Sequence, residues 1–412
     1  MRSDRLSLKI LALLLALLTL LSFASCGQDT PAETVETTAA TEAGPAKYTV
    51  RLNAPASTAI HTELQASYLA DKDPLKIKSY MRSAYAAQSL DYDNEDQVGT
   101  LELSRPAAIT LTWDVETEQT ESDIRAYTLR IWRASDTRSV ITATLPASTK
   151  KYDFQNALIG ETYCWSVTAI EGTGATYPST VARFRTPDQA PRNLYVDGVT
   201  NVRDLGGWKT EDGGRIRQGL LFRGARIVEN SNAAKVLITA KGIKTLHDEC
   251  GVKSEIDLRL TSKLGGLSWS VLGSTVNFYS RPMSDNYNLM FSDPDNLQNI
   301  CDVFAVLADE SNYPVFFHCS AGLDRTGLIA WLVNGLCGVS EEDLWRDYLF
   351  SNFAKTKHSR GTGIKSVYVD VLKTANGDTY AKQIYNYLKD TVGVPAADLD
   401  AVIRIMKEPA AK

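Results

Sequence analysis

Residues 318–327 have the composition of a loop that binds a phosphate group beside a nucleophile. They read His-Cys-Ser-Ala-Gly-Leu-Asp-Arg-Thr-Gly, with a strand-like apolar run before them and a helix-like apolar run after them. A loop of this kind at a helix N-terminus points backbone N–H groups at a phosphate dianion. The same positive field lowers the pKa of Cys319, and Arg325 offers a planar fork to two phosphate oxygens. The decapeptide therefore predicts attack of a cysteine thiolate on a phosphate ester.

The other residues of the decapeptide have predicted supporting roles. Gly322 lets the chain turn where a Cβ atom would obstruct it. We expect the Thr326 hydroxyl to stabilise the sulfur when it returns as a thiolate. We expect His318 to orient the loop by hydrogen bonding and to transfer no proton. Substrate contacts are predicted for the loop residues Ser320, Ala321, Gly322 and Leu323.

These residues resemble the protein tyrosine phosphatase superfamily, whose signature is His-Cys, five residues, Arg, then Ser or Thr. The chain departs from the usual pattern at Leu323, where lysine is usual, and at Lys263, where an acidic residue is usual. The resemblance covers residues 193–408. Four further segments are similar to blocks of the bacterial tyrosine phosphatase family, which has secreted and lipid-anchored members: Asn-Val-Arg-Asp-Leu-Gly-Gly at 201–207, Leu-Phe-Arg-Gly at 221–224, Ser-Glu-Ile-Asp-Leu-Arg at 254–259 and Asp-Tyr-Leu-Phe-Ser-Asn at 347–352.

This resemblance implies hydrolysis of phosphate monoesters through a phosphocysteine on Cys319. Phosphotyrosine in proteins is the expected substrate, because Leu323 removes a positive charge that would help to bind a phosphoinositide or an inositol phosphate. Those two remain the alternative substrates. Tyr195, Tyr287 and Phe353 are candidates for contacts with the ring of a phosphotyrosine. A surface protein that binds without catalysis is a second alternative, although binding alone requires no nucleophile.

A leaving oxygen needs a proton, and two aspartates compete for the role of general acid. Asp324 lies inside the loop, where relatives are suggested to use this residue. Asp285 lies 34 positions before Cys319, where the mobile acid loop of the superfamily usually falls. Asp324 is preferred because of its reach to the leaving group. Arg203 is a further candidate, either for substrate binding or for bracing the loop.

Alternating apolar and polar residues between 108 and 184 predict an all-β module, to which we assign residues 47–187. Within its less readable first part, residues 48–52 are expected to form a strand and residues 75–89 a helix. Residues 158–167 resemble a late strand of fibronectin type III modules, with Tyr163 as the corner tyrosine and Trp113 as the core tryptophan. The resemblance implies an immunoglobulin/fibronectin III-like sandwich. We interpret this module as a spacer or docking unit, and recognition of a surface partner is the alternative.

Mixed strand and helix patterns predict an α/β domain over residues 192–412. Strands with helices between them favour a central, largely parallel sheet flanked by helices. The predicted strands include residues 194–199 and 243–247. The loop that carries Cys319 would follow the carboxyl end of a strand, where such sheets place their ligands.

The first 46 residues predict export and anchoring. Basic residues precede an apolar stretch at 10–21, which is too short for an ordinary membrane-spanning helix. Phe-Ala-Ser-Cys-Gly at 23–27 resembles a bacterial lipoprotein processing site with lipid on Cys26; plain secretion and an uncleaved anchor are the alternatives. Residues 1–26 are thus the expected signal peptide and lipidation site, and 27–46 a disordered tether at the outer face of the bacterial cell membrane.

Composition argues against several classes of partner. The net charge of −5 argues against nucleic-acid binding, and no basic face rich in arginine and aromatic residues opposes this. The four histidines form no cluster, so neither a metal nor another cofactor is expected. The six cysteines lack short paired spacings, so no disulfide framework is predicted.

Overall fold

The first part of the chain forms antiparallel strands in the computed structural model, which describes residues 47–118 and 123–410. The strands are β1 Thr49–Asn53, β2 Ile109–Glu116, β3 Ile124–Arg133, β4 Asp136–Pro146, β5 Lys151–Phe154, β6 Thr162–Glu171, β7 Thr176–Pro178 and β8 Ala182–Arg185. One sheet has the order β1–β2–β5, and the other has the order β4–β3–β6–β7, with β8 also paired to β6.

Aromatic side chains join these two sheets. Trp113 is 1% exposed and meets Tyr127 edge to face, with 5.5 Å between ring centroids. Tyr163 is equally buried and lies 5.1 Å from the Phe154 ring. The Tyr163 hydroxyl also accepts a hydrogen bond from the Leu158 backbone N–H at 2.8 Å. Because alternate residues of each strand point inward, the alternating pattern produces this aromatic core.

Residues 54–108 depart from the all-β class predicted for 47–187, although the helix expected within residues 75–89 is confirmed. They hold the helices Glu63–Ala70 and Ile77–Ala86, joined by the short 3₁₀ helix Pro74–Lys76. Thr62 begins the first helix with a capping box, in which its side chain accepts from the Gln65 N–H and the Gln65 side chain accepts from the Thr62 N–H. The β pattern therefore describes only part of this region.

The second part of the chain is built on a six-stranded sheet. Its order is β14–β13–β15–β12–β10–β9, with parallel pairing from β14 to β12 and antiparallel pairing from β12 to β9. β11 and β16 form a separate antiparallel pair. The bounds are β9 Arg192–Asn193, β10 Arg203–Asp204, β11 Arg215–Ile216, β12 Leu221–Gly224, β13 Ser254–Asp257, β14 Asn277–Ser280, β15 Val315–His318 and β16 Lys407–Glu408.

Helices flank this sheet. The helix Asp324–Leu336 directly follows the central strand β15, and every residue from Arg325 to Leu336 in it is buried. This burial on all sides explains its continuous apolar sequence. The helices are Ala240–Ile243, Thr261–Leu264, Pro294–Ala308, Asp324–Leu336, Glu341–Phe350, Asp370–Leu372, Tyr380–Tyr387 and Ala396–Met406; shorter 3₁₀ or π turns are Lys244–Glu249, Tyr287–Leu289, Glu310–Asn312, Ser351–Phe353, Thr362–Ile364, Lys365–Val369 and Leu388–Val392.

Two predicted strands of this part are wrong. Residues 194–199 form a turn instead, in which the Val199 N–H donates to the Val196 carbonyl and Gly198 has a φ of +83°. Residues 243–247 lie in helical structure, because Thr239 caps its start by accepting from the Gly242 N–H at 3.2 Å. Both segments are so short that local capping and turn residues decide the structure.

The predicted signal peptide, the lipid on Cys26 and the tether lie outside the described residues. Among the residues that are described, no helix is both long and apolar enough to cross a membrane.

Candidate active site

The predicted decapeptide forms the connection between β15 and the helix Asp324–Leu336. β15 is fully buried between the parallel strands β13 and β12, so its carboxyl end opens at the middle of the sheet. We call residues 319–325 the phosphate loop, after their predicted ligand. Gly322 has a φ of +71°, and a Cβ there would lie 2.5 Å from the Gly224 carbonyl oxygen. Only glycine fits this position without moving the neighbouring strand.

The carbonyl groups of the phosphate loop are held outward by side chains. The Asn201 amide donates to the carbonyl oxygens of Ala321 and Gly322 at 3.1 and 3.0 Å. Arg226 donates to the Ser320 carbonyl at 3.1 Å. Since the C=O and N–H of one peptide point in opposite directions, the N–H groups of residues 321–323 face the other side, toward the loop interior. This orientation suits an anion.

Cys319 is the first loop residue and is only 3% exposed. Burial raises the pKa of its thiol more than any other single influence, but the influences that lower it outweigh burial together, and the positive charge of Arg325 is the largest of these, so that the pKa is lowered. The Thr326 hydroxyl and backbone N–H add to this effect, while the charge of Asp324 opposes it. The surroundings of Cys319 therefore lower the pKa of its thiol overall.

Arg325 is buried and only weakly engaged by the protein. Its terminal nitrogens lie 3.4–3.5 Å from the carbonyl oxygens of Leu258 and Met283 and from the Ser320 hydroxyl. Its Nε has no hydrogen-bond partner among the described residues. Buried donors are rarely left unpaired, and contacts of this length are weak. The guanidinium thus retains capacity to bind an oxyanion beside the sulfur.

A pair of buried arginines anchors the loop from inside. Asp347 accepts from Arg203 at 2.7 Å with one oxygen and from Arg223 at 2.6 Å with the other. Arg223 also donates to the Gly322 carbonyl at 2.8 Å, and Arg203 donates to the Asn201 carboxamide oxygen at 2.6 Å. We call Asp347, Arg203 and Arg223 the inner anchor.

The inner anchor explains the placement of Arg203. Its side chain donates to Asn201, Asp347 and Ser351, so Arg203 lies where it can brace the loop, one of the two roles that the sequence left open. Burial would raise the pKa of Asp347, but the two guanidiniums hold it below its usual value. Burial lowers the pKa of Arg223 to about 10. Asn201, Arg223 and Asp347 stood within the recognised motifs, but their spacing alone did not indicate this shared role.

Asp324 is engaged by an arginine that the sequence analysis did not select. Arg360 donates to both oxygens of the Asp324 carboxylate at 2.6 Å, and the Tyr287 hydroxyl donates to one of them. Burial would raise the pKa of Asp324, but Arg360 and Tyr287 lower it overall. We call Asp324 and Arg360 the outer anchor. Arg360 lies in a polar segment without periodicity, so the sequence carried no signal for it.

Asp285 is exposed, in the segment between β14 and the turn Tyr287–Leu289. Two residues before it, the Met283 carbonyl lies 3.4 Å from Arg325. The Ser284 N–H donates to the Asn296 side chain at 2.8 Å, which fixes the start of the turn. The segment that carries Asp285 therefore contacts the arginine of the phosphate loop.

The side chain of His318 lies behind the loop. It is fully buried, and its Nε2 lies 2.9 Å from Glu255 Oε1. Burial would lower its pKa, but the acidic side chains of Asp257 and Glu255 raise it overall. These three residues are spaced as metal ligands could be. However, Arg259 binds both oxygens of Asp257, and His318 and Ser270 engage the two oxygens of Glu255, so the group already has its charge partners.

The three aromatic candidates lie in different surroundings. Tyr287 reaches Asp324 and so borders the phosphate loop. Phe353 is fully buried against Tyr68 and Phe350 and presents no face to a ligand. Tyr195 stacks with Arg105, whose guanidinium lies 4.5 Å from its ring centroid. Only Tyr287 among them is placed beside the loop.

A family model, two relatives and a solved structure are similar to parts of this chain. The family model described as tyrosine phosphatase family matches residues 194–408, which include the phosphate loop and both anchors. A protein of Cupriavidus necator, named provisionally as a tyrosine-protein phosphatase, is 27% identical over 242 residues, 51% of this chain and 88% of its own length. A tyrosine-protein phosphatase of Nostoc commune is 32% identical over 120 residues, 24% of this chain and 40% of its own length. The core catalytic domain of the PP-IP phosphatase SIW14 from S. cerevisiae is similar at 16% identity, with a TM-score of 0.28, over 44% of this chain and 88% of that chain.

Proposed function

Because the chain belongs to the tyrosine phosphatase family, we propose that it hydrolyses phosphate monoesters, with phosphotyrosine in proteins as substrate, through a phosphocysteine intermediate. The observation that carries the proposal is the buried Cys319 beside Arg325, with its pKa lowered despite burial. The backbone N–H groups of the phosphate loop and the weakly hydrogen-bonded guanidinium of Arg325 complete a site for a phosphate dianion.

The reaction follows from this arrangement. The Cys319 thiolate forms an S–P bond as the bond from phosphorus to the ester oxygen breaks, and the leaving oxygen takes a proton from a general acid. Arg325 and the loop amides bind the three equatorial oxygens throughout. Water then attacks phosphorus and gives up a proton, the S–P bond breaks, and inorganic phosphate and the thiolate are released.

The geometry favours Asp285 over Asp324 as the proton donor. A general acid needs a carboxyl group that is free to face the leaving oxygen, whereas both oxygens of Asp324 accept hydrogen bonds from Arg360. Asp285 is exposed, on the segment that contacts Arg325. Replacing each by Asn and measuring kcat with phenyl phosphate and with p-nitrophenyl phosphate separates the roles. We expect Asp285→Asn to slow the poorer leaving group more; an equal loss with both substrates would return the role to Asp324 or to water.

Charges around the loop support phosphotyrosine as the substrate class. Arg226 is paired with Glu229 and Arg360 with Asp324, so neither cation is free to meet a second phosphate. Leu323 is 1% exposed and contributes no charge. Tyr287 offers an aromatic ring beside the loop. Phosphoinositides and inositol phosphates carry several phosphates and need more positive charge than Arg226, Arg360 and Leu323 offer beside the loop.

A substrate panel tests the proposal. Wild type and Cys319→Ser are compared on p-nitrophenyl phosphate, phosphotyrosine peptides, inositol phosphates and phosphoinositide vesicles. We expect turnover only by the wild type, with kcat/KM highest for phosphotyrosine peptides. Faster hydrolysis of the inositol compounds would select the alternative substrate class. Binding of phosphopeptides by both proteins without turnover would select the non-catalytic alternative.

We also propose that the strands of residues 47–187 form a fibronectin III-like module and that Cys26 carries lipid. The hydrogen bond from the Leu158 N–H to Tyr163 and the buried Trp113 support the first proposal. The residues before Cys26 support the second, with the exported protein on the outer face of the membrane. Labelling cells with a fatty-acid analogue tests it, because Cys26→Ala should lose the label.

A further inference from the structure

The helical region before the second strand contacts the loop that supplies Arg360. We call residues 87–103 the brace segment and residues 354–361 the Arg360 loop. Tyr92 of the brace segment is 4% exposed, and its hydroxyl donates to the Asn352 carboxamide oxygen at 2.8 Å. The same Asn352 oxygen accepts from the Arg360 N–H at 2.7 Å, and its amide donates to the Arg360 carbonyl at 3.1 Å. Asn352 thus holds both backbone polar groups of Arg360.

Backbone contacts join the brace segment to the Arg360 loop and to Phe353 immediately before it. The Lys357 N–H donates to the Gly99 carbonyl at 2.9 Å, and the Leu103 N–H donates to the Phe353 carbonyl at 2.7 Å. Gly99 has a φ of +64°, and a Cβ there would lie 2.6 Å from the backbone nitrogens of Lys357 and His358. This close approach requires glycine and fixes the brace segment against the Arg360 loop.

The brace segment is itself fixed by aromatic packing. Tyr85 and Tyr92 meet edge to face at 5.1 Å, and the Tyr85 hydroxyl accepts from the Thr100 N–H at 3.1 Å. Tyr68, from the helix Glu63–Ala70, lies 5.6 Å from the Phe353 ring. The region that departs from the all-β prediction therefore forms a continuous apolar contact with the catalytic part.

The Arg360 loop needs such support to aim its arginine. It includes Lys357 with a φ of +60°, and no regular helix or strand is assigned between residues 354 and 361. Yet Arg360 must present its planar fork to both oxygens of Asp324, at the start of the helix that follows the phosphate loop. A small rotation of the loop backbone would break one of those two bonds.

We propose that Tyr92 is a positioning residue that acts through Asn352 and Arg360 on Asp324, so that the N-terminal region forms part of the catalytic unit. The proposal rests on the function proposed above for the phosphate loop. It replaces the interpretation of the N-terminal region as a spacer alone. The hydroxyl of Tyr92 touches no reacting atom; it fixes the backbone that orients Arg360.

A double-mutant cycle tests the coupling in the full chain. We expect Tyr92→Phe to lower kcat for a phosphotyrosine peptide about three- to tenfold with little change in KM, because one buried hydrogen bond is lost. We expect Arg360→Met to lower kcat about 10- to 100-fold, and Arg360→Lys to recover part of it. Combining Tyr92→Phe with Arg360→Met should give no further loss, because both act on one path. Equal losses from Tyr92→Phe in both backgrounds would overturn the proposal.

Tyr163→Phe is the matched control. Like Tyr92→Phe, it removes a buried tyrosine hydroxyl that makes one hydrogen bond. This hydroxyl lies in the β-sheet module, where it accepts from the Leu158 backbone N–H. Its kcat should equal that of wild type. A loss in Tyr163→Phe as large as that in Tyr92→Phe would indicate general destabilisation and overturn the specific path.

Hydrogen exchange gives a readout that needs no turnover. Tyr92→Phe should speed amide exchange in peptides covering residues 319–325 and 354–361, and Tyr163→Phe should not. If wild type hydrolyses no phosphate ester, the proposed function fails, yet faster exchange in Tyr92→Phe still supports the positioning path. Unchanged exchange at residues 319–325 overturns that path whether or not the chain is active.

Discussion

Two anchors hold the phosphate loop, and they differ in where their support comes from. The inner anchor joins Asp347 to Arg203 and Arg223, with side chains at most 6% exposed. The outer anchor joins Asp324 to Arg360, with side chains about one-fifth exposed. The inner anchor lies wholly inside the catalytic part, whereas Arg360 is held through Asn352 by Tyr92 of the N-terminal region. One anchor therefore stabilises the fold around the loop, and the other makes the loop depend on a second region.

The largest expected effect comes from breaking the inner anchor. We expect Asp347→Asn to lower the free energy of unfolding by about 3–5 kcal/mol, because two buried guanidiniums lose their countercharge. Arg360→Met should cost about 1 kcal/mol or less, because its pair is partly exposed. Urea unfolding of both variants measures the difference. Similar losses in the two variants would show that the anchors are energetically equivalent and would remove the distinction.

Three glycines with nearly the same φ angle separate the effect of backbone strain from that of close contact. Gly322 has a φ of +71°, Gly99 of +64° and Gly251 of +68°, so alanine strains all three alike. A Cβ at Gly322 or Gly99 meets backbone atoms within about 2.6 Å, whereas at Gly251 it meets nothing within 4 Å.

We expect Gly322→Ala to lower kcat/KM more than 100-fold, because the phosphate loop itself must move to relieve the close contact of the new Cβ. A loss of this size corresponds to about 3 kcal/mol in activation free energy. Gly99→Ala should lower it about tenfold, through the Arg360 loop, and Gly251→Ala should leave it unchanged. Steady-state kinetics of the three variants check this order. Loss of activity in Gly251→Ala would mean that backbone strain alone explains the series.

The two anchors also show how much of the candidate site could be predicted from the sequence. The decapeptide predicted the loop, its cysteine and its arginine, because consecutive residues between a strand and a helix leave little freedom in their placement. The recognised motifs contained Arg203, Arg223 and Asp347, but which of them pair depends on how distant strands and helices meet. The roles predicted for Asp324 and Asp285 remain to be tested.

Arg360 and Tyr92 carried no such signal. Arg360 lies outside regular structure, and Tyr92 is 260 positions from its partner Asn352. The helices at residues 63–86 were only partly anticipated, because their pattern is shorter and weaker than that of the strands around them. Local pattern thus predicted the elements, while the contacts between the two regions depend on tertiary packing.

The smallest expected effect is a change in the pKa of Cys319 when the positive charge of Arg360 is removed from the outer anchor. The negative charge of Asp324 raises the pKa of Cys319, and Arg360 lies against that charge. Arg360→Met should therefore raise the pKa of Cys319 by about half a unit to one unit, which is about 0.7–1.4 kcal/mol. Asp324→Asn in the same chain should reverse this increase, because it removes the charge itself.

The rate of alkylation of Cys319 by iodoacetamide, followed by mass spectrometry between pH 5 and 9, measures this pKa. Thiolate is present above the folded-state pKa, so Arg360→Met should move the rise in rate to higher pH and the double variant should move it back. Cys301 is partly buried and its thiol donates to the Val392 carbonyl at 3.1 Å, so its profile in the same samples should not move. A Cys319 profile that stays in place in Arg360→Met would mean that Asp324 takes up a proton once it is unpaired. The outer anchor would then act by placing the loop, and its electrostatic effect on the thiolate would be negligible.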